Sequence, residues 1–381
     1  MSWEKVKLGD ISANIQTGPF GSQLHQYDYS EIGTPVVMPK DLIDGKISEQ
    51  SIARVSADHV QRLNRHIIQK GDILYSRRGD VGRCAFATEH EKGWLCGTGC
   101  LRVTTDASIA DSKFIFYQLQ QPEVVGWVEK HAVGATMLNL NTTILGNVPL
   151  LLPPMATQRR IADILSAYDD LIENNRKQIK LLEEAAQRLY KKWFVDLRFP
   201  GHEHTKIVDG VPEGWEKRLL ADVVEVKYGK DHKSIPDGSI PVYGSGGFMR
   251  KCNQVLYDGE SVLIPRKGSL NNIIYVDEAF WTVDTMFYTK MKMPNIGVFL
   301  YFFVKSFDMY SMNIGAAVPS MTTNILNALD IIVPSSNTLE HFQSNTKMYF
   351  RKIELLQKQI ETAIQARDRL LPKLMSGEVE V

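Results

Sequence analysis

Apolar residues recur every three or four positions along two long stretches of the chain. In residues 157–193 they form a first seam, made of Ile161, Leu165, Tyr168, Ile172, Asn175, Ile179, Leu182, Ala186, Leu189 and Trp193. In residues 338–375 they form a second seam, made of Phe342, Thr346, Tyr349, Ile353, Leu356, Ile360, Ala363, Arg367, Leu370 and Leu374. This spacing keeps one face of a helix apolar over about 50 Å. It predicts two long helices, each with a face that needs a partner.

The simplest partner for each seam is the other seam. Each helix follows its own globular region, so we expect the two helices to pack antiparallel. A core helix packed only on its own domain is the alternative, and the length of the seams disfavours it. Asn175 and Arg367 interrupt the seams. Polar residues at such positions often fix the register of paired helices, although plain tolerance explains them equally well.

Elsewhere the pattern changes to short β-rich runs punctuated by glycine, such as Ile73–Ser76 and Cys100–Val103. We divide the chain into a first β-rich domain (residues 1–152), a first long helix (153–199), a linker (200–214), a second β-rich domain (215–334) and a second long helix (335–381). This order predicts an α+β protein in which two mixed α/β domains are separated by two long antiparallel helices.

The chain also repeats itself. Val133–Phe194 aligns with Ile314–Met375 without a gap at a separation of 181 positions, with 17 of 62 residues identical. Upstream, Trp3–Lys5 reappears as Trp215–Lys217 at a separation of 212. Because the separation changes between these anchors, the inserts that they enclose differ in length. A duplicated frame around two unlike inserts predicts an internal pseudo-twofold repeat, and it suits a protein that reads two different things with one geometry.

Composition excludes several classes of protein. The apolar content of 44% and the charged content of 23% are ordinary for a globular protein. A net charge of zero argues against gripping nucleic acid over the whole surface, but it allows basic loops on a neutral body. No run of eighteen apolar residues occurs, and the first residues lack the apolar run of a secretory signal. We therefore expect no membrane span and a cytoplasmic location.

Few residues offer chemistry. Cys84, Cys96, Cys100 and Cys252 are too scattered for a disulfide framework. The first three could supply zinc ligands, although buried free thiols are the simpler account. The sequence has no Walker-type phosphate loop, no HExxH helix and no GxSxG elbow. We therefore expect no catalytic residue, no metal site and a non-catalytic role.

Two basic glycine loops follow predicted strands in the two halves of the chain. The first contains Arg77, Arg78 and Arg83, and the second contains Arg266, Lys267 and Ser269. Basic side chains beside a glycine, which allows close backbone approach, suit the recognition of phosphate or guanine. A solvated hairpin is the alternative, and the recurrence of the loop favours binding.

Further candidate DNA-binding residues lie in polar and glycine-rich turns. In the first half they are Gln16, Thr17, Phe20, Ser22 and Gln23. In the second half they are Lys227, Tyr228, Lys230 and Lys233, with Tyr243 and Ser245 in a flexible turn nearby. Taken alone, each of these segments is little more than a loop.

The motifs, in this order and within a duplicated frame, resemble the specificity subunit of type I restriction–modification systems over essentially the whole chain. The segments that carry the resemblance are Trp3…Leu8-Gly9-Asp10-Ile11, Gly71-Asp72-Ile73-Leu74…Arg77-Arg78-Gly79, Gly134-Ala135-Thr136, Pro153-Pro154…Gln158-Arg159-Arg160-Ile161-Ala162, Asp170…Ile172-Glu173, Trp193-Phe194…Arg198-Phe199-Pro200-Gly201 and Ile240-Pro241-Val242-Tyr243-Gly244-Ser245-Gly246-Gly247. Thr157 departs from the family pattern, which usually has an acidic residue there. The second copy departs further, with Leu339-Glu340-His341 in place of Gln158-Arg159-Arg160.

The resemblance implies two target-recognition domains, each reading one half of a bipartite, asymmetric sequence in double-stranded DNA, with the helices setting the unread spacer. It implies that two separate modification subunits carry S-adenosylmethionine and methylate adenine N6. It also implies that a restriction subunit using ATP and magnesium can join, so that no cofactor belongs to this chain. The alternative is a coiled-coil adaptor that joins proteins without reading DNA.

Overall fold

The computed structural model describes residues 3–134, 137–312 and 320–381. The repeated residues Ala135, Thr136 and Ile314–Ala316 lie outside them. The chain divides into two compact units. The first unit is Met1–Asn174 with Gln359–Val381, and the second is Asn175–Lys358. Each unit therefore contains one β-rich region and one segment of each long helix.

In the first unit, the central sheet joins four antiparallel strands in the order β2-β11-β8-β9, and a second sheet has the order β10-β4-β7-β3. The strands are β1 (Glu4–Lys7), β2 (Ser12–Thr17), β3 (Tyr29–Ser30), β4 (Thr34–Val37), β5 (Leu42–Ile43), β6 (Lys46–Ile47), β7 (Ala53–Val55), β8 (Ile73–Ser76), β9 (Cys84–Phe86), β10 (Leu95–Cys96), β11 (Cys100–Thr105) and β12 (Pro149–Leu152). The α-helices are α1 (Ala57–Arg62), α2 (Ser112–Leu119), α3 (Pro122–His131), α4 (Thr142–Gly146) and α5 (Met155–Tyr190), of which α5 extends into the second unit.

In the second unit, one six-stranded sheet has the order β16-β21-β19-β20-β17-β18. The strands are β13 (Ile207–Val208), β14 (Val211–Pro212), β15 (Glu216–Leu219), β16 (Val224–Tyr228), β17 (Ile240–Gly244), β18 (Gly247–Cys252), β19 (Tyr257–Pro265), β20 (Ile274–Thr282), β21 (Met286–Met291) and β22 (Asp330–Val333). The α-helices are α6 (Leu220–Val223), α7 (Gly297–Lys305), α8 (Thr323–Asn327) and α9 (Ser336–Ser376), of which α9 extends into the first unit.

The sequence repeat is folded twice in the same way. The order β2-β11-β8-β9 of the first unit recurs as β16-β21-β19-β20 in the second. The two repeated anchors are also hydrogen-bonded to each other within each unit. Glu4 pairs with Leu152 in one, and Glu216 pairs with Val333 in the other. These pairs are related by the same separations, 212 and 181, that the sequence shows. The frame is therefore common to both units, while the inserts differ.

The predicted seams coincide with the less exposed faces of α5 and α9. Every seam residue is buried or half-buried, whereas Leu171 and Leu181, which lie off the seam on α5, are 44% and 63% exposed. Helix α5 begins at Met155, two residues before Thr157, because the carbonyl of Pro154 accepts hydrogen bonds from the amides of Thr157 and Gln158. The chain continues beyond Tyr190 as one π-helical turn, Lys191–Val195.

The helical segments run antiparallel within each unit. In the first unit, Ile161 and Leu165 near the start of α5 share a core with Leu374 near the end of α9. In the second unit, Trp193, just after the end of α5, lies 5.8 Å between ring centroids from Phe342, near the start of α9. The ends of the seams thus pack in the domain cores, which is what the alternative of a core helix predicts. Within each unit, the segments of the two helices also pack against each other.

Arg367 has a specific role in the first unit. Its Nη1 lies 2.7 Å from Oδ1 of Asp169, and Oδ2 of Asp169 accepts a 2.5 Å hydrogen bond from the Tyr117 hydroxyl. The repeat places Ala186 and Phe350 at the equivalent positions of the second unit, where both positions are apolar. One unit therefore fixes its helix pair with an ion pair and the other with apolar packing, so Arg367 is more than a tolerated interruption.

We predict that Arg367→Met lowers the stability of the first unit by about 1–2 kcal/mol, because it leaves a largely buried carboxylate without its cation. Thermal unfolding is the measurement, and Arg369→Met, on the exposed face of the same turn, is the matched control. Adding Asp169→Leu should recover part of the loss. Strictly additive effects of the two substitutions would mean that the ion pair contributes nothing.

Candidate nucleic-acid interface

In the first unit, two loops that the sequence offers separately lie against each other. Arg77 follows β8, and its amide donates a 2.8 Å hydrogen bond to the Gly99 carbonyl. Its guanidinium carbon stands 5.4 Å from the centroid of the Phe20 ring, which is within the range of a cation–π contact. Phe20 is half exposed. The basic loop and the loop after β2 therefore form one surface.

The second unit builds the same contact. The Arg266 amide donates a 2.8 Å hydrogen bond to the Thr285 carbonyl, and the guanidinium carbon lies 5.4 Å from the Tyr228 ring centroid. The Tyr228 ring is also half exposed. The turn that follows needs glycine in both units, because Gly79 has φ +75° and Gly268 has φ +82°. We call each arrangement a cation–aromatic pair.

A third segment completes each surface. The Leu140 amide donates a 2.8 Å hydrogen bond to the Arg77 carbonyl, and the Met321 amide donates a 2.9 Å hydrogen bond to the Arg266 carbonyl. Leu140 and Met321 are related by the separation of 181. The duplicated segment before α4 and α8 therefore supports the basic loop in both units. Ala135 and Thr136 of that segment, and Gly315 and Ala316 of its second copy, lie outside the described residues.

Glycine also permits the approach of the loop after β2. A Cβ at Gly18 would lie 1.9 Å from the Gly97 carbonyl oxygen, and a Cβ at Gly229 would lie 2.0 Å from that of Val283. The aromatic ring, however, lies at a different sequence position relative to this glycine in each unit. Phe20 follows its glycine by two residues, whereas Tyr228 precedes its glycine directly. The two rings therefore do not align in the sequence repeat, although each meets the equivalent arginine.

Some cations of the paired loops form ion pairs with carboxylates among the described residues, and others do not. The ion pairs among the described residues include Arg83 with Asp80 at 2.6 Å and Lys227 with Glu225 at 2.6 Å. Four other cations of these loops have no carboxylate partner among the described residues. They are Arg77, Arg78, Arg266 and Lys267. Burial, and then the charge of Arg78, lower the pKa of Arg77, but a guanidinium stays charged at neutral pH. These four cations are therefore available to an anion.

Other predicted residues mainly hold the loops in place. Gln16 lies 3.2 Å from Nδ1 of the buried His66 and accepts from Arg102 at 3.5 Å. Gln23 Oε1 accepts from the Phe20 amide at 3.1 Å. The Tyr243 hydroxyl donates to Glu278 at 3.0 Å. Thr17 is half-buried in β2, whereas Ser22, Lys230, Lys233 and Ser269 are exposed. Ser245 lies beside Gly268, so its turn joins the surface of the second unit.

Sequence reasoning missed two kinds of residue. Arg65 donates a 3.4 Å hydrogen bond to Gln23 and so brings another cation to the Phe20 loop. Phe248 and Met249, at the start of β18, are 58% and 51% exposed close to the Ser245 turn. All three lie in the inserts, where the repeat supplies no counterpart and therefore no signal.

No cluster among the described residues could hold a metal ion. The four cysteines are buried and free, as expected. Burial raises the pKa of Cys84 and of Cys96 to about 12. These thiols stay protonated at neutral pH. In the part of the chain that the structure describes, no helix combines the length and the apolar character needed to cross a membrane.

Comparison with known proteins gives one consistent result. The family model described as type I restriction modification DNA specificity domain matches residues 1–184 and 212–369. The type I restriction enzyme MjaIX specificity subunit of Methanocaldococcus jannaschii is 26% identical over 100% of this chain and 94% of its own. The HindI specificity subunit of Haemophilus influenzae is 24% identical over 99% of both. The crystal structure of an S subunit from M. genitalium has the same fold, with a TM-score of 0.68 and 20% identity over 98% of this chain and 96% of the other.

We predict that replacing Arg77 and Arg78 together with alanine weakens binding to duplex DNA by about 1–3 kcal/mol, because their charges have no carboxylate partner among the residues that the structure describes. Binding by the assembled complex, titrated at several salt concentrations, is the measurement. Arg218→Ala removes a half-exposed arginine that is paired with Glu216, and it serves as the control. Unchanged affinity and unchanged salt dependence would leave the two arginines as ordinary surface residues.

Proposed function

The chain belongs to the type I restriction–modification DNA specificity family, and from that premise we propose that its two units each read one half of a bipartite, asymmetric target in double-stranded DNA. The observation that carries this proposal is the cation–aromatic pair. It lies at the end of the equivalent strands β8 and β19 in the two units. Each pair is surrounded by an insert that the other unit lacks. Two equal frames with unequal inserts suit two half-sites of different sequence.

The long helices would set the distance between the half-sites. Helix α5 has 36 residues and α9 has 41, and each contributes a segment to both units. At 1.5 Å per residue these lengths correspond to about 54 Å and about 62 Å. The buried seams stiffen the helices, because bending would expose apolar side chains to water. A stiff pair of this length supports an unread spacer of fixed size.

Catalysis would belong to partner subunits. We propose that two modification subunits, carrying S-adenosylmethionine, dock on this chain and methylate adenine N6 in the two half-sites. A restriction subunit that uses ATP and magnesium would join the same assembly. The role of this chain is then to place those subunits on a chosen sequence. The adaptor alternative is not favoured, because the matched family is described as a DNA specificity domain and the relatives are named specificity subunits.

The test is to map methylated adenines by long-read sequencing in cells that express this chain together with its cognate modification subunit. The proposal predicts one motif with two specified halves separated by unspecified bases, methylated on opposite strands. Methylation without such a motif would support the adaptor instead, provided that the two proteins still form a complex.

We further predict that lengthening both helices lengthens the spacer. Four residues inserted after Asn174 and four after Lys358, at the boundary of the units, would extend the pair by about 6 Å and rotate it by about 40°. Duplex DNA advances about 3.4 Å and turns about 35° per base pair. The altered chain should therefore methylate a motif with a spacer longer by one or two base pairs and with both half-sites unchanged.

Two results would contradict the spacer role. A spacer of unchanged length in an active variant would show that the helices do not set it. A changed half-site would show that reading and spacing have been assigned to the wrong parts of the chain. Insertion into α5 alone is the control, because it shifts the first seam against the second and should lower the melting temperature.

A further inference from the structure

We propose that Arg77 and Arg266 bind a backbone phosphate at equivalent places in the two half-sites, and that the choice of bases lies with the unlike inserts. This inference rests on the proposed function, since it requires that each unit faces a half-site. According to this inference, the two cation–aromatic pairs make a DNA contact that does not depend on the base sequence. The specificity-determining residues would then be those near Phe248 in the second unit and near Tyr27 in the first.

The first argument is the sameness of the two pairs. The guanidinium-to-ring distance is 5.4 Å in both units, and the amide of each arginine donates a 2.8 Å hydrogen bond to the adjoining strand loop. Two halves of an asymmetric target differ in their bases, but their sugar–phosphate backbone is chemically identical. A contact built twice with one geometry therefore fits the backbone. Reading a base in this way would require that base at the same place in both halves.

The second argument is the origin of the rings. Phe20 and Tyr228 stand at different positions relative to the equivalent glycines Gly18 and Gly229. The rings were therefore not simply copied with the frame, yet each ends beneath the same arginine. A ring beneath a guanidinium fixes its plane and leaves its edge N–H groups able to donate. In Arg266, Nη1 donates a 3.2 Å hydrogen bond to the Asp284 carbonyl. Positioning the arginine is thus the feature that the two units share.

The third argument is charge. Each arginine has a neighbouring exposed cation, Arg78 in one unit and Lys267 in the other. Two adjacent cations repel each other, and a phosphate between them would relieve that repulsion. Phosphate contacts fix the position and register of a protein on DNA but carry no sequence information directly. A guanine offers two acceptor atoms but no net charge to relieve the repulsion.

The inserts carry exposed aromatic and apolar side chains of the kind that contact bases. In the second unit, Phe248 and Met249 stand half exposed on the β17–β18 hairpin, whose Ser245 borders Gly268 of the basic loop. In the first unit, Tyr27 is 81% exposed and stacks on His25 with the ring centroids 5.0 Å apart. Apolar and aromatic side chains beside a phosphate grip can contact thymine methyl groups or enter a base step. These residues differ between the units, as two different half-sites require.

The experiment compares Arg77→Ala, Arg266→Ala and Phe248→Ala in the complex with the modification subunit. Affinity for the cognate duplex is measured against salt concentration, and the methylated motif is mapped for each variant. Each arginine variant should bind about tenfold more weakly and lower the slope of log affinity against log salt by about 0.9, without relaxing any base of the motif. Phe248→Ala should relax or change bases in one half-site and leave the salt slope unchanged.

The outcomes separate this inference from the proposed function. A base that becomes unspecified in Arg77→Ala or Arg266→Ala would overturn the inference, because that arginine then reads sequence, while the proposed function would stand. Unchanged slope and affinity in both arginine variants would also overturn it. If the unaltered complex shows no bipartite motif at all, the proposed function itself fails. Arg218→Ala, with unchanged slope and motif, controls for the loss of a surface charge.

The positioning role of the ring has its own test. Phe20→Leu removes the aromatic face but keeps an apolar side chain, so affinity should fall although the arginine remains. Phe20→Tyr should restore affinity, because Tyr228 performs the same role in the second unit. If the leucine variant and the unaltered chain have equal affinity and equal melting temperature, the ring does not position the arginine.

Discussion

The burial of the two helical seams is the constraint on which the rest of the structure depends. Ile161, Leu165, Phe342, Leu356 and Leu374 are each no more than 1% exposed. Burying such a side chain contributes about 1.5–3 kcal/mol. Neither helix can bury its own seam, so the two must pair, and because each seam also enters the cores at its ends, the same helices complete both units.

Support and reading are separated within each unit. The frame consists of the four central strands, the β1–β12 or β15–β22 pair and the segment that binds the basic loop. It places an arginine at the end of a buried strand in both units, and a ring lies 5.4 Å from that guanidinium in each. The inserts are attached to this frame at Gly18 and Gly229, where no side chain fits. An insert can thus change without moving the cations.

Periodicity and repetition made much of this predictable. The 3–4 spacing specified which face of α5 and α9 is buried, and the repeat indicated which loops correspond. The aromatic partners were not predictable as partners, because Phe20 and Tyr228 do not align and their contact with Arg77 and Arg266 depends on the tertiary fold. Sequence could not tell that Arg83 and Lys227 are neutralised by Asp80 and Glu225, since an ion pair depends on side-chain directions. The strands β3, β4, β7 and β10 have two to four residues each, too few to show a period of two, so the second sheet of the first unit left no pattern.

The central claim is that each unit faces its own half of one target. It is tested most directly by attaching a DNA-cleaving iron chelate to a single new cysteine, either Ser22→Cys or Ser269→Cys. Both positions are exposed, and the four native thiols are buried and remain unlabelled. Bound to the cognate duplex with the modification subunit, the first probe should cut only at one half-site and the second only at the other, with the unread spacer between the cuts. Cuts by both probes at the same half-site, or at random positions, would contradict the account.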